Sequence, residues 1–347
     1  MERTTTRARL QALAMAGAVI ATGLGLASCG GTGAGGGGGT ITLYSGQHQQ
    51  LSQAIVAAFT KQTGIHVRVR TDDGIVLANQ ILQEGSTSPA DVYLTENSPE
   101  LMLLTEHHLL AQLPASTTDQ IPSRYNSPTG NWVGVALRVC SLVYNPSLIS
   151  QSQLPSSFLE LSQAKWKGKL AITPTDSDFV PQVGAVIATY GRPAALSWLQ
   201  GLKSNAALYQ SEEATVAAVN RGQQAVGVIN QYYWYRLRLE VGAKDTHSKL
   251  YFFPNRDVGA IENIGGAAVL ASSSHQADAK KFVAFLASAQ AQQLVSAGDD
   301  FEYPARAGIA ANPALPPLSL VNPAVINVVS LGNDLTAASL LQEAGLT

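Results

Sequence analysis

TITLYSGQHQQLSQAIVAAFTKQTGIHVRV, residues 40–69, carries the reading of the fold. Residues 40–44 alternate as a β-strand, Leu51, Ile55, Val56 and Phe59 mark one face of a helix that stops at Gly64, and Ile65, Val67 and Val69 alternate again. This is a β-α-β unit, and similar signals follow outward from it. Residues 77–82 suggest a helix and 90–94 a strand, and Ser98-Pro99-Glu100 reads as the N-cap and first turn of an apolar helix over 101–113. Residues 132–144 form a long extended stretch of the kind that crosses between lobes. Beyond it come a strand at 170–173, helices around Val183 and Leu199, and strands at 225–229, 249–253 and 267–270. Strand and helix alternating with short connections predict α/β layers around a largely parallel sheet.

The beginning of the chain predicts export. Arg3, Arg7 and Arg9 precede an uncharged apolar run over 10–26 that ends in Leu26-Ala27-Ser28-Cys29. That is a secretory signal peptide, residues 1–28, with a cysteine placed to receive a lipid, which anchors the protein at the outer face of the cell membrane. A Gly-rich tether follows over 29–39. Without its first 28 residues a chain of 347 remains long enough for two lobes. Charged residues make up 13% and the net charge is −2, so no basic face exists for nucleic acid. Cys140 sits in an apolar run and reads as a buried thiol. With Cys29 lipidated, no disulfide forms within one chain. Gly31, Gly33 and Gly36 match a dinucleotide fingerprint, but no strand precedes them and no helix opens on them. Ser162-Gln163-Ala164-Lys165 matches an acyl-enzyme motif without the Lys-Thr-Gly that completes such a site.

Three sets of polar side chains share one topological address. His48 follows the strand at 40–44, Glu96 the strand at 90–94, and Tyr232-Tyr233 the strand at 225–229. In open sheets the carboxyl ends of parallel strands border the ligand crevice. Each has a plainer reading too: a helix-capping histidine, a glutamate favoured by a helix dipole, and tyrosines packed with Trp234 and Tyr235.

At these residues the chain resembles the bacterial periplasmic ferric-ion-binding proteins that feed ABC-type iron transporters. The matching segments are Leu43-Tyr44-Ser45-Gly46-Gln47-His48, Glu84-Gly85-Ser86 with Ser88-Pro89-Ala90-Asp91-Val92 running on to Glu96, and Ile229-Asn230-Gln231-Tyr232-Tyr233-Trp234. Arg256-Asp257-Val258-Gly259-Ala260, Gly265-Gly266-Ala267-Ala268-Val269-Leu270 and residues 279–286 continue it, so the likeness covers the chain from residue 40 onward. It implies a two-lobed periplasmic-binding-protein fold of type II, each lobe a mostly parallel sheet flanked by helices, joined by crossing hinge strands near Arg138 and Ile264. The expected N-terminal lobe is 40–138 plus 265–313 and the C-terminal lobe 139–264 plus 314–347. It implies Fe³⁺ as the transported ligand, with His48, Glu96, Tyr232 and Tyr233 as metal ligands. It also implies a monomer that delivers iron to a permease and ATPase complex, not an enzyme.

The chemistry agrees with the resemblance. Fe³⁺ favours anionic oxygen, and tyrosine, with an ordinary pKa of about 10, yields a phenolate to few other metals at neutral pH. Four protein donors leave about two octahedral positions, which in the family an exogenous anion such as phosphate or carbonate fills. Here the sequence departs from the family's small Ser-Gly-Ala-like anion turn: it carries Asp176-Ser177-Asp178, and Glu212 stands where an amide is common. Arg138 and Asn230 remain as anion partners. Acidic side chains repel phosphate in a poorly solvated cleft, so either they point away or one replaces the anion, and phosphate is not expected as the partner. The alternatives are the same fold binding an organic anion, phosphonate or metal chelate, and an extracytoplasmic hydrolase. For the hydrolase, His107, His108, His247 and His275 have no nucleophile elbow nearby.

Overall fold

The computed structural model describes residues 39–347. The expected leader, the lipidation site Cys29 and the tether up to residue 38 lie outside the described residues.

Strands β1 (Thr40–Ser45) and β2 (His66–Thr71) pair in parallel and are joined by helix α1 (Gln49–Thr63). Helix α1 buries Leu51, Ile55 and Phe59, three of the four residues that marked its face, and ends on Gly64 at φ 73°, a left-handed turn that costs glycine little. Helix α2 (Gly74–Glu84) returns the chain to β3 (Val92–Thr95), parallel to β1, and helix α3 (Ser98–Glu106) follows. The helix expected to run to residue 113 stops at Glu106. His108 takes a left-handed φ of 56°, and the apolar residues after it extend, so that the N–H of Ala111 donates to the carbonyl of Val269. An apolar run secures burial. It does not dictate helix.

Strand β4 (Trp132–Tyr144) is buried at all thirteen residues and holds the architecture together. The remaining strands are β5 (Leu170–Ile172), β6 (Ala206–Leu208), β7 (Val226–Asn230), β8 (Lys249–Tyr251), β9 (Glu262–Val269) and β10 (Tyr303–Pro304). Their order is β2-β1-β3-β9-β4-β7-β5-β6, with β8 and β10 also on β4. The first half of β4 pairs antiparallel with β9, residues 132–139, and its second half with β7, residues 140–144. The sheet is therefore parallel within β1-β2-β3 and within β5-β6-β7, and antiparallel where the chain crosses between them. A largely parallel sheet was expected; the antiparallel middle arises because β4 and β9 must carry the chain out and back.

Around Arg138 the two crossing strands lie side by side, with Leu137 opposite Ile264 and Arg138 opposite Asn263. The helix Glu212–Asn220 packs on β7 and β5, and helices Val180–Tyr190 and Arg192–Asn205 pack on each other and on the C-terminal helix Leu335–Ala344. Cys140 is buried and free, as its apolar context predicts. Among the described residues no helix is long and apolar enough to cross a membrane.

Candidate metal centre

Each expected metal-ligating residue leaves the end of a strand. His48 is the first residue before α1, but its ring does not cap the helix. Its Nδ1 instead lies 3.3 Å from Oε1 of Glu96. Glu96 follows β3 and likewise does not cap α3: Asn97 occupies the N-cap position and Glu100 is the acid of the first turn. Tyr232 and Tyr233 fall in the first turn of the helix Gln231–Val241, directly after β7, with ring centroids 4.1 Å apart. The His48 ring meets Tyr232 edge-on, centroids 4.9 Å apart, and the Tyr232 hydroxyl is 3.5 Å from Oε2 of Glu96. The capping readings of His48 and Glu96 do not describe their contacts, while Tyr232 and Tyr233 are core residues that pack on each other as well as on His48.

The acidic doublet divides its work. Asp176 accepts the N–H of Asp178 at 3.1 Å and so caps the 3₁₀ turn Ser177–Phe179 that leads into the helix Val180–Tyr190. Asp178 points inward. Its Oδ2 accepts the hydroxyl of Tyr232 at 2.9 Å and that of Tyr233 at 3.4 Å, and its Oδ1 accepts from Arg138 at 2.7 Å. Ser177 and Asp176 line the mouth of the cleft, about 360 Å³, together with Asp73, Glu213 and Tyr233. Asn230 ends β7, gives its N–H to Oε2 of Glu212 at 2.6 Å, and leaves its amide nitrogen without a hydrogen-bond partner. Glu212 thus serves the local backbone.

Arg138 is the hub. Fully buried on β4, it reaches Asp178, the carbonyl oxygen of the Asn97 side chain at 2.8 Å, Glu96 at 3.6 Å and Glu302 at 3.7 Å. Asn263 on β9 donates to the same Asn97 oxygen at 2.8 Å. Sequence reasoning missed Glu302, Asn97 and Asn263. Glu302 precedes a two-residue strand, carries no recognisable spacing, and reaches the site only through tertiary packing. It completes a set with His48 and Glu96 whose donor atoms lie within 4.8 Å of one another.

The electrostatics are those of an unquenched donor set. Burial pushes the Glu96 carboxyl up to about 8, only partly opposed by Arg138, and lowers the His48 imidazole to about 4. Burial thus disfavours the charged form of both partners in their 3.3 Å contact. Burial, then the Asp178 charge, holds both tyrosines well above the ordinary phenol range. Burial alone would raise Asp178 as well, but Arg138 and the Tyr232 hydroxyl outweigh it and keep this carboxyl below the usual range. Nε2 of His48, both oxygens of Glu302, and Nε and Nη1 of Arg138 have no hydrogen-bond partner. Buried polar atoms left this way cost about 1–3 kcal/mol each, and a cation can relieve only the acceptors among them.

A family model described as bacterial extracellular solute-binding protein matches residues 87–324. The chain belongs to this family. Among extracellular solute-binding proteins, the Fe(3+)-binding periplasmic protein of Serratia marcescens is 40% identical over 306 residues, 88% of this chain and 90% of that protein. The major ferric iron-binding protein of Neisseria meningitidis serogroup B is 37% identical over 309 residues, 88% of this chain and 93% of its own. The crystal structure of iron-bound HitA from Pseudomonas aeruginosa matches with a TM-score of 0.84 at 39% identity, across 88% of this chain and 99% of that one. The architecture is accordingly the α/β periplasmic-binding-protein fold of ferric-binding relatives, with two strand groups joined through crossing strands.

Proposed function

We propose that this protein captures ferric iron in the cleft beside β4 and hands it to an ABC-type permease and ATPase complex, acting as a monomeric carrier and not as an enzyme. The observation that carries this reading is the convergence of His48, Glu96, Tyr232 and Tyr233, from the ends of three strands, on one acidic cleft. Two adjacent phenols select a hard trivalent ion, since a softer or divalent cation does not displace phenol protons held this high. Relatives named for ferric iron across nearly the whole chain support the same cargo. The acidic rim of Asp73, Asp176 and Glu213 disfavours a plain anion as the ligand.

Capture proceeds by closure. In our reading residues 40–138 plus 265–313 move as one lobe and 139–264 plus 314–347 as the other, hinging near Arg138 and Ile264. The metal bridges His48 and Glu96 on one side to the tyrosines on the other. Export and a lipid on Cys29 would hold the carrier at the outer face of the membrane. Binding must expel two phenol protons and much of one from Glu96, so iron is released as pH falls, with a slope of about two to three protons. The test is spectroscopic: purified protein given ferric citrate should develop a visible tyrosinate-to-iron band and retain about one iron per chain after desalting. No band and no retained iron would end the reading.

A further inference from the structure

We propose that Glu302 is a positioning residue for iron capture, the acceptor that takes over Arg138 when the metal claims Glu96. The inference rests on the ferric-iron reading and adds to it a side chain that binds no metal itself. Pairing of β10 with β4 sets Tyr303 opposite Leu137, and the same antiparallel register brings Glu302 beside Arg138. Nη2 of Arg138 is committed, to Oδ1 of Asp178 at 2.7 Å and to the side-chain oxygen of Asn97 at 2.8 Å. Nη1 is uncommitted. It stands 3.6 Å from Oε2 of Glu96 and 3.7 Å from Oε1 of Glu302, outside hydrogen-bond distance of both, and neither it nor either Glu302 oxygen has a partner. Both side chains are fully buried, where polar groups are nearly always paired, so this donor and this acceptor are a pair still to be made.

Competition for Glu96 supplies the occasion. Its Oε2 faces both Nη1 and, at 3.5 Å, the hydroxyl of Tyr232, so guanidinium and metal seek the same oxygen. A trivalent ion bonded there repels a guanidinium held 3.6 Å from that oxygen. Glu302 gives the displaced charge somewhere to go: Nη1 need close only from 3.7 Å to the roughly 2.8 Å of a charge-assisted bond. With no acceptor at residue 302, Nη1 would settle on Glu96 instead, and iron would have to break a buried ion pair before it could bind. The role asks only for a lone pair on the side chain of residue 302, which a carboxylate, a carboxylic acid and an amide all present. Glu302 also comes within 4.8 Å of donors on His48 and Glu96, so direct ligation is the rival that the test must separate.

The test measures ferric affinity by competition with citrate, the position of the visible band and the urea stability of the metal-free protein for wild type, Glu302→Leu and Glu302→Gln. Glu302→Leu should bind iron about 10–100-fold more weakly, as for other groups that act behind a ligand, with the band where the wild type has it. Its metal-free stability should not fall, because an apolar side chain of similar size in place of an unpaired buried acid removes a desolvation cost. Glu302→Gln, which keeps an acceptor, should recover most of the lost affinity. Iron-loaded wild-type crystals supply a readout independent of any variant: Nη1 should lie within about 3.2 Å of Glu302 and farther from Glu96 than 3.6 Å. Affinity unchanged in Glu302→Leu, affinity and stability lost in step, a glutamine variant as weak as the leucine one, a shifted band, or Nη1 still midway between the two carboxyls in the loaded crystal each overturn the proposal. A wild type that takes up no iron removes the cargo reading and the inference with it.

Discussion

Two buried acids flank the same short strand, Asp91 just before β3 and Glu96 just after it, and they lead opposite lives. Asp91 is saturated: Oδ2 accepts the N–H of Thr42 at 2.7 Å, and Oδ1 receives the Ser273 hydroxyl at 2.5 Å and stands 3.1 Å from Nδ1 of His275. It ties β1 and the loop after β9 to the amino end of β3. Glu96 makes nothing that tight. Its neighbours His48, Tyr232 and Arg138 lie between 3.3 and 3.6 Å away, and its carboxyl is pushed up to about 8. One end of the strand is finished by the fold, while the other is left for something the fold lacks. The difference follows from topology, because the carboxyl ends of β1, β3 and β7 open on the cleft while the amino end of β3 faces a loop.

The contrast is broken most sharply by substituting one residue at each end. Tyr232→Phe should weaken ferric binding by more than the ~10–100-fold typical of losing a group behind a ligand, and the visible band should largely vanish. Its metal-free stability should fall by about 1.5 kcal/mol, because Asp178 loses the Tyr232 hydroxyl while keeping Tyr233 and Arg138. Asp91→Ala should do the reverse, costing about 3 kcal/mol by leaving the Thr42 N–H unpaired, with iron affinity unchanged. Urea unfolding beside iron titration checks both, and an Asp91 variant that moves both quantities together would show that site and scaffold are not separable.

A smaller effect appears in the pH dependence. A carboxyl raised from 4.5 to about 8 keeps its proton in the folded chain after the unfolded chain has lost it, so its contribution to stability declines as pH rises across that window. A histidine lowered from 6.5 to about 4 acts oppositely, adding stability as pH rises from about 4 to 6.5 and nothing beyond. Above pH 6.5 the Glu96 decline remains, and it is joined by those of Asp176 and Asp334, pushed up to about 7 by burial, and of Glu100, Glu212 and Glu302, which burial holds well above the usual range. The metal-free protein should lose at least on the order of 1–2 kcal/mol between pH 6.5 and 8, at about 1.4 kcal/mol per unit for each full proton. The iron-loaded protein should gain over the same range, since the metal replaces those protons. Thermal unfolding of both forms at the two pH values would test this, and parallel curves would contradict it.

The sequence placed most strands within a residue or two because alternation survives burial on one face, and β4 could be read whole because no polar residue but Arg138 and Ser141 interrupts its apolar run. His48, Glu96, Tyr232 and Tyr233 were visible as strand-end residues: the parallel pairing of β1 and β3 sets His48 beside Glu96, and the antiparallel crossing through β9 and β4 turns the carboxyl end of β7 toward theirs. Which acid of the Asp176–Asp178 doublet faces the tyrosines was illegible, since that depends on the rotation of a single 3₁₀ turn. Glu302 was beyond reach for another reason: nothing within several residues of it repeats or alternates toward the site, and only its position after the helix Ala289–Ala297 carries it there.

The mildest change sharpens the comparison without touching a donor. Gly265 sits on β9 where it crosses the end of β3, and a Cβ there would stand 2.9 Å from the carbonyl oxygen of Thr95 and 3.1 Å from the Cα of Glu96. Backbone does not yield as a side chain does, so Gly265→Ala must displace the segment that carries Glu96 and leave Asp91, at the strand's other end, in place. The expected result is a loss of about 1–3 kcal/mol in stability, as for other overpacked sites. Iron affinity should fall about tenfold, the scale of a misplaced supporting shell. Because Glu96 contributes one donor among several, the visible band should keep its position while losing occupancy at limiting iron. A shifted band would mean that the displacement reaches the tyrosines, making the crossing strands a rigid relay across the cleft instead of a local support.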